Sequence, residues 1–549
     1  MTREPRPFRF VAASALLIVF GFAGVLTASA VSCQVVQPQV PAEAERDYLR
    51  GEYDQAASLY RQQLQQHPND VLLTLGLSRV LLRQQNADEA TELIKKALAA
   101  TPHSAPLETA LAEVQYRQGT PWTATETART AVKDDPCYPR IHLLLARLSR
   151  LSSMYAAERE ELRAAHQLDP HDPAIHREWI STLSAREKIA ELEAYLATPT
   201  GDDADDIRRM HLQLDALKKR AEEPHKTCQL VSQQTSTSMP FTSIMGDGSH
   251  IRAFGLDVKL NNRSARLQID TGASGLVISR SVAQKAGLTE FARTESGGIG
   301  EEGKRSSYIA YVDTLHIGSL EFHDCALTVL DSRNVVESEG LIGMDVFDKF
   351  LVTLDYPMRK LSLEPLPQRP NEAARSAPNL NTQTSEESKS GDRGQTGEAP
   401  REAEDRYLAP EMKDYFPVYR VGHQLLIATA LNKSALKLFV LDTGSFTTSI
   451  SPEAAREVTK VHSDDRVTVK GISGKVAKVY SSDKITFRFA NLSQEVDDVV
   501  TFDTSSIGKN LGLDVAGLIG ATTLSQVTMH IDYRDGLVKF DYDRSRGYH

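Results

Sequence analysis

The feature that most limits how this 549-residue chain can fold is a block that occurs twice in its second part. Each copy has an aspartate after an apolar run, followed by threonine and glycine, at Asp270 and at Asp442. Some 70 residues later each copy contains Gly-Leu-Ile-Gly, at 340–343 and 517–520. An apolar residue followed by Asp and Tyr comes next in both copies, and then a last apolar strand. The duplication predicts two related halves.

Both copies have the residue pattern of β-structure. Val, Ile, Leu and Thr alternate with polar residues, and Gly and Asn separate the runs, which is typical of strands and hairpins. The pattern covers 228–366 and 406–549. The stretch between them, 367–405, is rich in Pro, Ser, Glu, Asn and Gly and has a single Leu, with no Ile, Val, Met or aromatic residue. Such a composition cannot bury enough apolar surface to offset its ordering entropy, so a disordered linker is predicted there.

Residues 41–225 are predicted to be helical and repetitive. Four prolines recur every 34 residues, and alanines recur at fixed offsets before them. Small alanines let paired helices approach closely, and proline ends the second helix of each unit. This pattern resembles the tetratricopeptide repeat, with four units over about 43–172, a degenerate fifth to about 198, and an amphipathic segment from Asp205 to Glu223. The prolines are Pro68, Pro102, Pro136 and Pro170, and the alanines are Ala56, Ala90, Ala124, Ala97, Ala131 and Ala165.

The first 33 residues have the order of charges of an export signal. Arg3, Arg6 and Arg9 precede an uncharged run over 10–31. Three outcomes remain open: cleavage at the Ala-Ser-Ala of 28–30, lipidation at Cys33 after a lipobox-like sequence, or retention as a membrane anchor. All three place the remainder outside the cytoplasm, in a bacterial periplasm or facing outward from a membrane. Contact with a membrane is therefore expected only through the N-terminus.

Charge and cysteine content exclude some classes of function. The formal net charge is −10, which argues against nucleic acid as the main partner. The four cysteines show no zinc-type spacing, and neither a metal nor a cofactor is predicted. Cys228 and Cys325 flank one predicted domain, and the sequence leaves open whether they form a disulfide. Gly298 to Lys304 imitates a phosphate loop, but Arg305 stands where Ser or Thr would bind magnesium.

The two aspartates suggest a reaction when they are brought together. Two neighbouring carboxylates cannot both ionise cheaply, so one pKa rises and the pair shares a proton. The ionised member can accept a proton from water while the protonated member donates to a substrate carbonyl. This chemistry hydrolyses an amide and needs both copies.

The duplicated Asp-Thr-Gly and Gly-Leu-Ile-Gly elements resemble those of the retropepsin-like and pepsin-like aspartic peptidases. The resemblance implies a small β-barrel for each half and an active site at their interface, with Asp270 and Asp442 catalytic. It implies glycine-rich flaps that cover the substrate. The residues assigned to dyad support are Thr271, Gly272, Ala273, Thr443, Gly444 and Ser445, and those assigned to the flaps are Gly298, Ile299, Gly300, Gly471, Ile472 and Ser473.

One asymmetry between the copies predicts a division of roles. Ser445 follows the second motif where the first has Ala273. In the family a hydroxyl here can donate to the neighbouring carboxylate, which favours the charged form. We therefore expect Asp442 to ionise more readily and Asp270 to hold the proton. Asp345, which has no counterpart in the second half, is expected to serve as a structural cap or turn.

The fold class predicted is multidomain: an N-terminal all-α tetratricopeptide solenoid followed by two all-β retropepsin-like barrel domains. The function predicted is that of an exported aspartic endopeptidase whose repeats bind a protein or peptide. The alternative is a non-catalytic peptide-binding scaffold made of the same parts. Pairing of the halves within one chain, as a pseudo-dimer, is favoured over homodimers of like halves.

Overall fold

The structure is a computed structural model that describes residues 33–543 except 39, 223–226, 246–250, 302, 332–338, 371–404 and 465–466. The predicted export signal and nearly all of the predicted linker lie outside the described residues. Within the described ranges, every helix is too short or too polar to cross a bilayer.

The first described region is a helical array, as the proline spacing predicts. Its helices form consecutive antiparallel pairs, and each repeated proline lies two residues beyond the second helix of a pair. Ala56, Ala90 and Ala124 are fully buried where the helices approach. The helices are α1 Glu43–Leu49, α2 Tyr53–Gln66, α3 Val71–Arg83, α4 Ala87–Ala100, α5 Ala105–Arg117, α6 Pro121–Asp134, α7 Pro139–Leu151, α8 Tyr155–Leu168, α9 Pro173–Ile180, α10 Ala185–Leu196 and α11 Ala204–Glu222.

The first β half forms a sheet that closes on itself. The neighbouring strands run β9-β6-β10-β5-β4-β8, and β8 pairs again with β9, which completes a ring. A disulfide joins Cys228 and Cys325 and ties the start of this half to β9. The elements are β1 Gln229–Leu230, β2 Thr237–Pro240, β3 Thr242–Met245, β4 Ile251–Leu260, β5 Arg263–Ile269, β6 Leu276–Ser279, α12 Arg280–Lys285, β7 Ala292–Ser296, β8 Arg305–Ile317, β9 Leu320–Leu330, β10 Gly340–Ile342, a 3-10 helix Met344–Phe347, β11 Phe350–Asp355 and β12 Lys360–Pro365.

The second half repeats much of this arrangement in a sheet whose described strands do not close. Its order is β18-β21-β24-β17-β25-β16-β15-β22-β23, with β14 paired to β15. The elements are a 3-10 helix Pro410–Met412, β13 Phe416–Pro417, β14 Tyr419–Val421, β15 Gln424–Leu431, β16 Leu436–Leu441, β17 Ser449–Ile450, α13 Pro452–Arg456, β18 Val461–Ser463, β19 Lys470–Gly471, β20 Gly474–Lys475, β21 Val479–Ser482, β22 Ile485–Phe489, β23 Leu492–Val496, β24 Val499–Phe502, α14 Ser505–Leu511, β25 Gly517–Ile519, α15 Ala521–Leu524, β26 Thr528–Asp532 and β27 Leu537–Asp541.

A third sheet joins the two halves. Its six strands run β13-β27-β26-β11-β12-β2, so the last strands of both halves lie side by side. The junction is the antiparallel pair β11–β26, in which Leu351 faces Asp532 and Asp355 faces Thr528. Because this sheet is continuous, its hydrogen bonds fix the orientation of one half against the other.

The two ends of the predicted linker meet at one buried carboxylate. Asp535 accepts hydrogen bonds from Arg369 Nη2 at 2.5 Å, near the start of the linker, and from Tyr407 N at 2.8 Å, just after its end. Asp535 is fully buried and also accepts from Arg534 Nε at 2.8 Å. The described chain therefore leaves the first half and enters the second at the same place.

The helical repeats pack on the second β half through a shared apolar core. Buried side chains of α5, α6 and α7 form one cluster with residues such as Leu438, Val515 and Leu518. Polar contacts at the seam join Arg117 O to Asp514 N at 2.7 Å, and Arg117 Nη1 donates to Gly512 O at 3.1 Å. This packing places the repeats close to the glycine hairpins of the β halves.

Candidate active site

Equivalent strands place the two Asp-Thr-Gly motifs. In the first half β5 ends at Ile269, and β10 runs parallel beside it, with Ile342 opposite Ile269. The Asp270 N–H donates to Ile342 O at 3.1 Å. In the second half β16 and β25 repeat the geometry, and Asp442 N donates to Ile519 O at 3.0 Å. The Gly-Leu-Ile-Gly elements thus hold each aspartate at a strand end.

The two threonines lock the motifs together across the interface. Thr271 Oγ1 donates to Leu441 O at 2.7 Å and accepts from Thr443 N at 3.0 Å. Thr443 Oγ1 makes the reciprocal bonds, to Ile269 O at 3.3 Å and from Thr271 N at 3.0 Å. Thr271 is fully buried and Thr443 is 5% exposed. Four hydrogen bonds, shielded from water, therefore fix the separation of the two aspartates.

Two glycines allow the carboxylates to approach each other. A Cβ on Gly272 would lie 2.8 Å from Asp442 Oδ1, and one on Gly444 would collide with the Asp270 carboxylate. The glycine N–H groups also donate within their own motifs, from Gly272 to Asp270 Oδ1 and from Gly444 to Asp442 Oδ1, both at 2.9 Å. Glycine is therefore required by close approach across the interface rather than by backbone conformation.

The dyad is electrostatically asymmetric. Burial, followed by the charge of Asp442, raises the pKa of Asp270 well above its usual range, and the two carboxyl groups are hydrogen-bonded to each other. Burial also raises the pKa of Asp442, but the N–H of Ser445, the bond from Asp270 and the charge of His423 oppose that rise. The rise in pKa is thus opposed more strongly at Asp442, so a shared proton favours Asp270.

The donor from Ser445 differs from the sequence-based expectation. Ser445 donates through its backbone N–H, 3.2 Å from Asp442 Oδ1, whereas the expected donor was its hydroxyl. A backbone donor is present whatever the side chain. The asymmetry between Asp270 and Asp442 therefore does not depend on having serine rather than alanine at this position.

His423 is a site residue that the sequence patterns did not indicate. Its Nε2 lies 2.9 Å from Gly272 O, and Gln424 Nε2 donates to the same oxygen at 3.3 Å. His423 lies in the turn before β15, far in sequence from either motif. Its charge lowers the pKa of Asp442. A single histidine in a hairpin turn carries no sequence signal, so only the tertiary arrangement identifies it.

Asp345 has the structural role expected of it. Its Oδ1 accepts from Gly275 N at 2.8 Å and its Oδ2 from Ser274 Oγ at 3.2 Å. These bonds brace the turn that follows the first motif.

The two glycine-rich segments form hairpins that touch each other. The first flap hairpin, residues 297–301 and 303–304 between β7 and β8, meets the second, residues 470–475 formed by β19 and β20. Ser473 N donates to Ile299 O at 3.1 Å, and Gly298 N donates to Ser473 Oγ at 3.1 Å. Gly300 has φ of +127° where it passes the backbone of Ser473, a conformation that only glycine adopts easily.

Each flap tip also packs against the opposite half. Ile472 joins an apolar cluster of the first half with Val277, Leu330, Leu341 and Ala273, the residue after the first motif. Ile299 packs on the core shared by the second half and the repeats. The two hairpins therefore cross, each with its tip against the opposite half.

Among the described residues, the group that fits the geometry of a metal site lies away from the two aspartates. The one group of described residues with metal-ligand geometry is His103, Glu108 and Asp134, which is surface-exposed or half-buried in the helical region. Cys33, the candidate lipidation residue, is disulfide-bonded. In that state it offers no thiol to a lipid, and lipidation stays a prediction for a chain in which Cys33 is reduced.

Comparison with protein families finds a match in the helical region and one in the first β half. Residues 256–349 match the family described as gag-polyprotein putative aspartyl protease, and residues 48–114 and 81–148 match the tetratricopeptide repeat. The chain thus combines tetratricopeptide repeats with a retropepsin-like aspartic peptidase region, as its motifs indicate.

Individual relatives are similar over limited regions. DNA damage-inducible protein 1 of Neurospora crassa is 28% identical over 111 residues, 20% of this chain and 24% of that protein. Protein DNA-DAMAGE INDUCIBLE 1 of Arabidopsis thaliana is 29% identical over 102 residues, 18% of this chain and 24% of that protein. The chain spans about a quarter of the length of these relatives.

Two solved structures are each similar to part of the chain. A thermophilic tetratricopeptide protein of Thermus thermophilus is 22% identical, with 32% of this chain and 95% of that chain covered at a TM-score of 0.25. The aspartic proteinase of Irpex lacteus is 12% identical, with 56% of this chain and 98% of that chain covered at a TM-score of 0.34.

Proposed function

We propose that this protein is an aspartic endopeptidase whose two halves, paired within one chain, hydrolyse peptide bonds with the dyad Asp270 and Asp442. The observation that carries the proposal is the hydrogen-bonded contact of two carboxyl groups, the buried Asp442 and the half-buried Asp270, which favours one protonated member and leaves the other available as a base. A pair that is only structural does not require this shared proton.

The reaction follows from the protonation states. Ionised Asp442 accepts a proton from a water molecule, and the water oxygen attacks the carbonyl carbon of the substrate amide. Protonated Asp270 gives its proton to the carbonyl oxygen as the tetrahedral intermediate forms. Collapse of that intermediate breaks the C–N bond as the nitrogen takes the proton held by Asp442. One hydroxyl of the intermediate returns its proton to Asp270 as the new C=O bond forms, which restores the starting protonation of the pair. The flaps exclude bulk water while this proceeds.

Pairing within one chain is supported by the shared sheet and the threonine bonds. The β11–β26 pair and the reciprocal bonds of Thr271 and Thr443 all connect the two halves of a single polypeptide. We further propose that the chain works outside the cytoplasm. The basic and apolar order of its first 33 residues and the disulfide Cys228–Cys325 both fit an exported protein.

A peptide library tests the proposed activity. Purified protein is incubated with diverse peptides from acidic to neutral pH, and products are identified by mass spectrometry. We expect internal cleavage that a pepstatin-type inhibitor and the double variant Asp270→Asn/Asp442→Asn both abolish. Specific peptide binding by the double variant, with no cleavage by the native protein at any pH, would instead identify a non-catalytic scaffold.

Substitutions of His423 and of Ser445 are expected to differ in their effect on the pH–rate profile. His423→Gln retains an amide donor for Gly272 O but removes a positive charge that lowers the pKa of Asp442. The pKa of Asp442 then rises, and the acidic limb of kcat/KM moves to higher pH. Ser445→Ala keeps the backbone donor and leaves that limb in place. A limb that moves in Ser445→Ala and not in His423→Gln would show that the hydroxyl, rather than the N–H and the histidine, sets the pKa.

A further inference from the structure

A large cavity lies between the helical repeats and the flap hairpins. Its volume is about 1600 Å³, larger than the 300 to 1,000 Å³ that is usual for small-molecule sites. One wall is made by side chains of α3, α5, α7 and α9, and another by Gly297, Gly298, Gly300 and Ser473 of the flaps. Neither Asp270 nor Asp442 lines it. The cavity therefore borders the flaps without reaching the catalytic dyad.

Arginines dominate the part of this wall formed by α3, α5 and α7. Arg79, Arg83, Arg117, Arg140, Arg147 and Arg150 all line the cavity. Most of them are matched by carboxylates: Arg79 pairs with Glu45 at 2.7 Å, and Arg140 pairs with Asp172 at 2.9 Å. An arginine in this wall that makes no ion pair therefore differs from its neighbours.

Arg117 is that cation. Among the described residues no carboxylate lies within ion-pair distance of it, and its Nη1 donates to the backbone of Gly512. Its Nε is buried and has no hydrogen-bond partner. The edge of the guanidinium formed by Nε and Nη2, which suits a bidentate carboxylate, is therefore unused. Arg83 and Arg147 add to the positive charge around it.

The flaps form part of the cavity wall, so a ligand in the cavity can affect their movement. The flap tips are bonded to each other, so substrate can reach the dyad only when they separate and lift away from it. On the side of the repeats, the space that the flaps border is this cavity. A chain segment lying in the cavity would contact the flaps and restrict their movement.

We propose that the cavity is a second peptide-binding site, which takes an extended acidic segment with a carboxylate on Arg117, and that a segment bound there holds the flaps closed. Binding does not depend on the proposed peptidase activity, whereas the effect on the flaps rests on it. A peptide is favoured over a small anion because the cavity exceeds the size of a small-molecule site and extends across several repeats.

A binding experiment tests the first part. A fluorescent Glu-rich peptide and a Gln-rich peptide of equal length are titrated into the full-length Asp270→Asn/Asp442→Asn protein, which cannot cleave them. We expect the Glu-rich peptide to bind more tightly, with an affinity that falls as salt rises. Arg117→Gln should weaken binding about tenfold or more, the effect of losing a charge-assisted pair. Arg129→Gln, an equal charge change at an exposed residue outside the cavity, should leave it unchanged.

Several results would overturn the proposal. Equal binding of the two peptides, or an affinity unaffected by Arg117→Gln and by the second variant Arg83→Gln, would exclude a carboxylate site at this place. Inorganic phosphate or free glutamate that displaces the peptide at equal concentration would show a small-anion site instead. Circular dichroism is used to check that each variant is folded. If Arg117→Gln does not fold, Arg83→Gln serves as the test variant.

A turnover experiment tests the second part. We expect the Glu-rich peptide to lower kcat/KM for an uncharged fluorogenic substrate in the active protein and to have no such effect in Arg117→Gln. Binding without any change in turnover would overturn the flap effect and leave the binding site standing. Absence of turnover before any peptide is added would refute the proposed peptidase activity, a result distinct from either.

Discussion

Replacing Asp442 by asparagine is expected to lower kcat/KM by at least about a thousandfold. Asparagine has nearly the same shape and can still accept the N–H bonds of Gly444 and Ser445, but it cannot take a proton from water, and general acid–base catalysis contributes up to about 10⁴-fold. Asp270→Asn is expected to have a comparable effect, because its amide cannot transfer a proton to the carbonyl oxygen. Hydrolysis of a fluorogenic peptide measures both.

The Asp270→Asn substitution is also expected to change the stability of the protein in a pH-dependent way. General damage to the fold would instead lower stability at every pH. The pKa of Asp270 is raised in the folded protein, so its contribution to stability is complete below the unfolded value, about 4, and is lost as pH rises through the folded value. Asparagine is neutral throughout. The melting temperature of Asp270→Asn relative to that of the native protein should therefore increase from acidic to neutral pH. An inactive variant that is less stable at every pH would indicate damage to the fold.

Replacing Thr271 by valine should have the largest effect on stability of any single change at the site. Valine keeps the shape but removes the hydroxyl that donates to Leu441 O and accepts from Thr443 N. Both partners are then buried without a hydrogen bond. At about 1 to 3 kcal/mol for each orphaned group, the loss is about 4 kcal/mol.

Calorimetry and activity together measure this effect. The transition of the β region should move to lower temperature while the repeats, which Thr271 does not contact, keep most of their own stability. Thr271→Ser retains the hydroxyl and serves as the matched control, with a smaller shift expected from the lost methyl group. Equal shifts for valine and serine would mean that packing, and not the hydroxyl, holds the motifs together.

Local patterns in the sequence were enough to predict the main elements. Pro68 and its repeats end helices because proline cannot continue one, and this constraint acts within a few residues. Asp270 and Asp442 each follow an apolar strand, and their duplication predicted their meeting. Gly272 and Gly444 were assigned as supports, and the structure adds the reason, which is the carboxylate of the opposite half.

Contacts between distant segments could not be predicted in the same way. His423, the backbone donor of Ser445 and the seam between Arg117 and Gly512 all depend on how complete domains dock. No spacing in the sequence encodes such a contact, because the residues involved are common types in ordinary turns and helix ends. The Ser445 hydroxyl was the expected donor because side chains can be read from a sequence, whereas the direction of a backbone N–H cannot.

Mixing two inactive variants tests most directly whether both aspartates of one chain form one site. Asp270→Asn and Asp442→Asn chains are assayed separately, then mixed in equal amounts, unfolded and refolded together, and assayed again beside native protein treated identically. Pairing within the chain predicts that the native protein recovers activity while each variant and their mixture stay inactive. Activity in the mixture would show that halves of different chains pair, and activity in either single variant would show that like halves form their own sites.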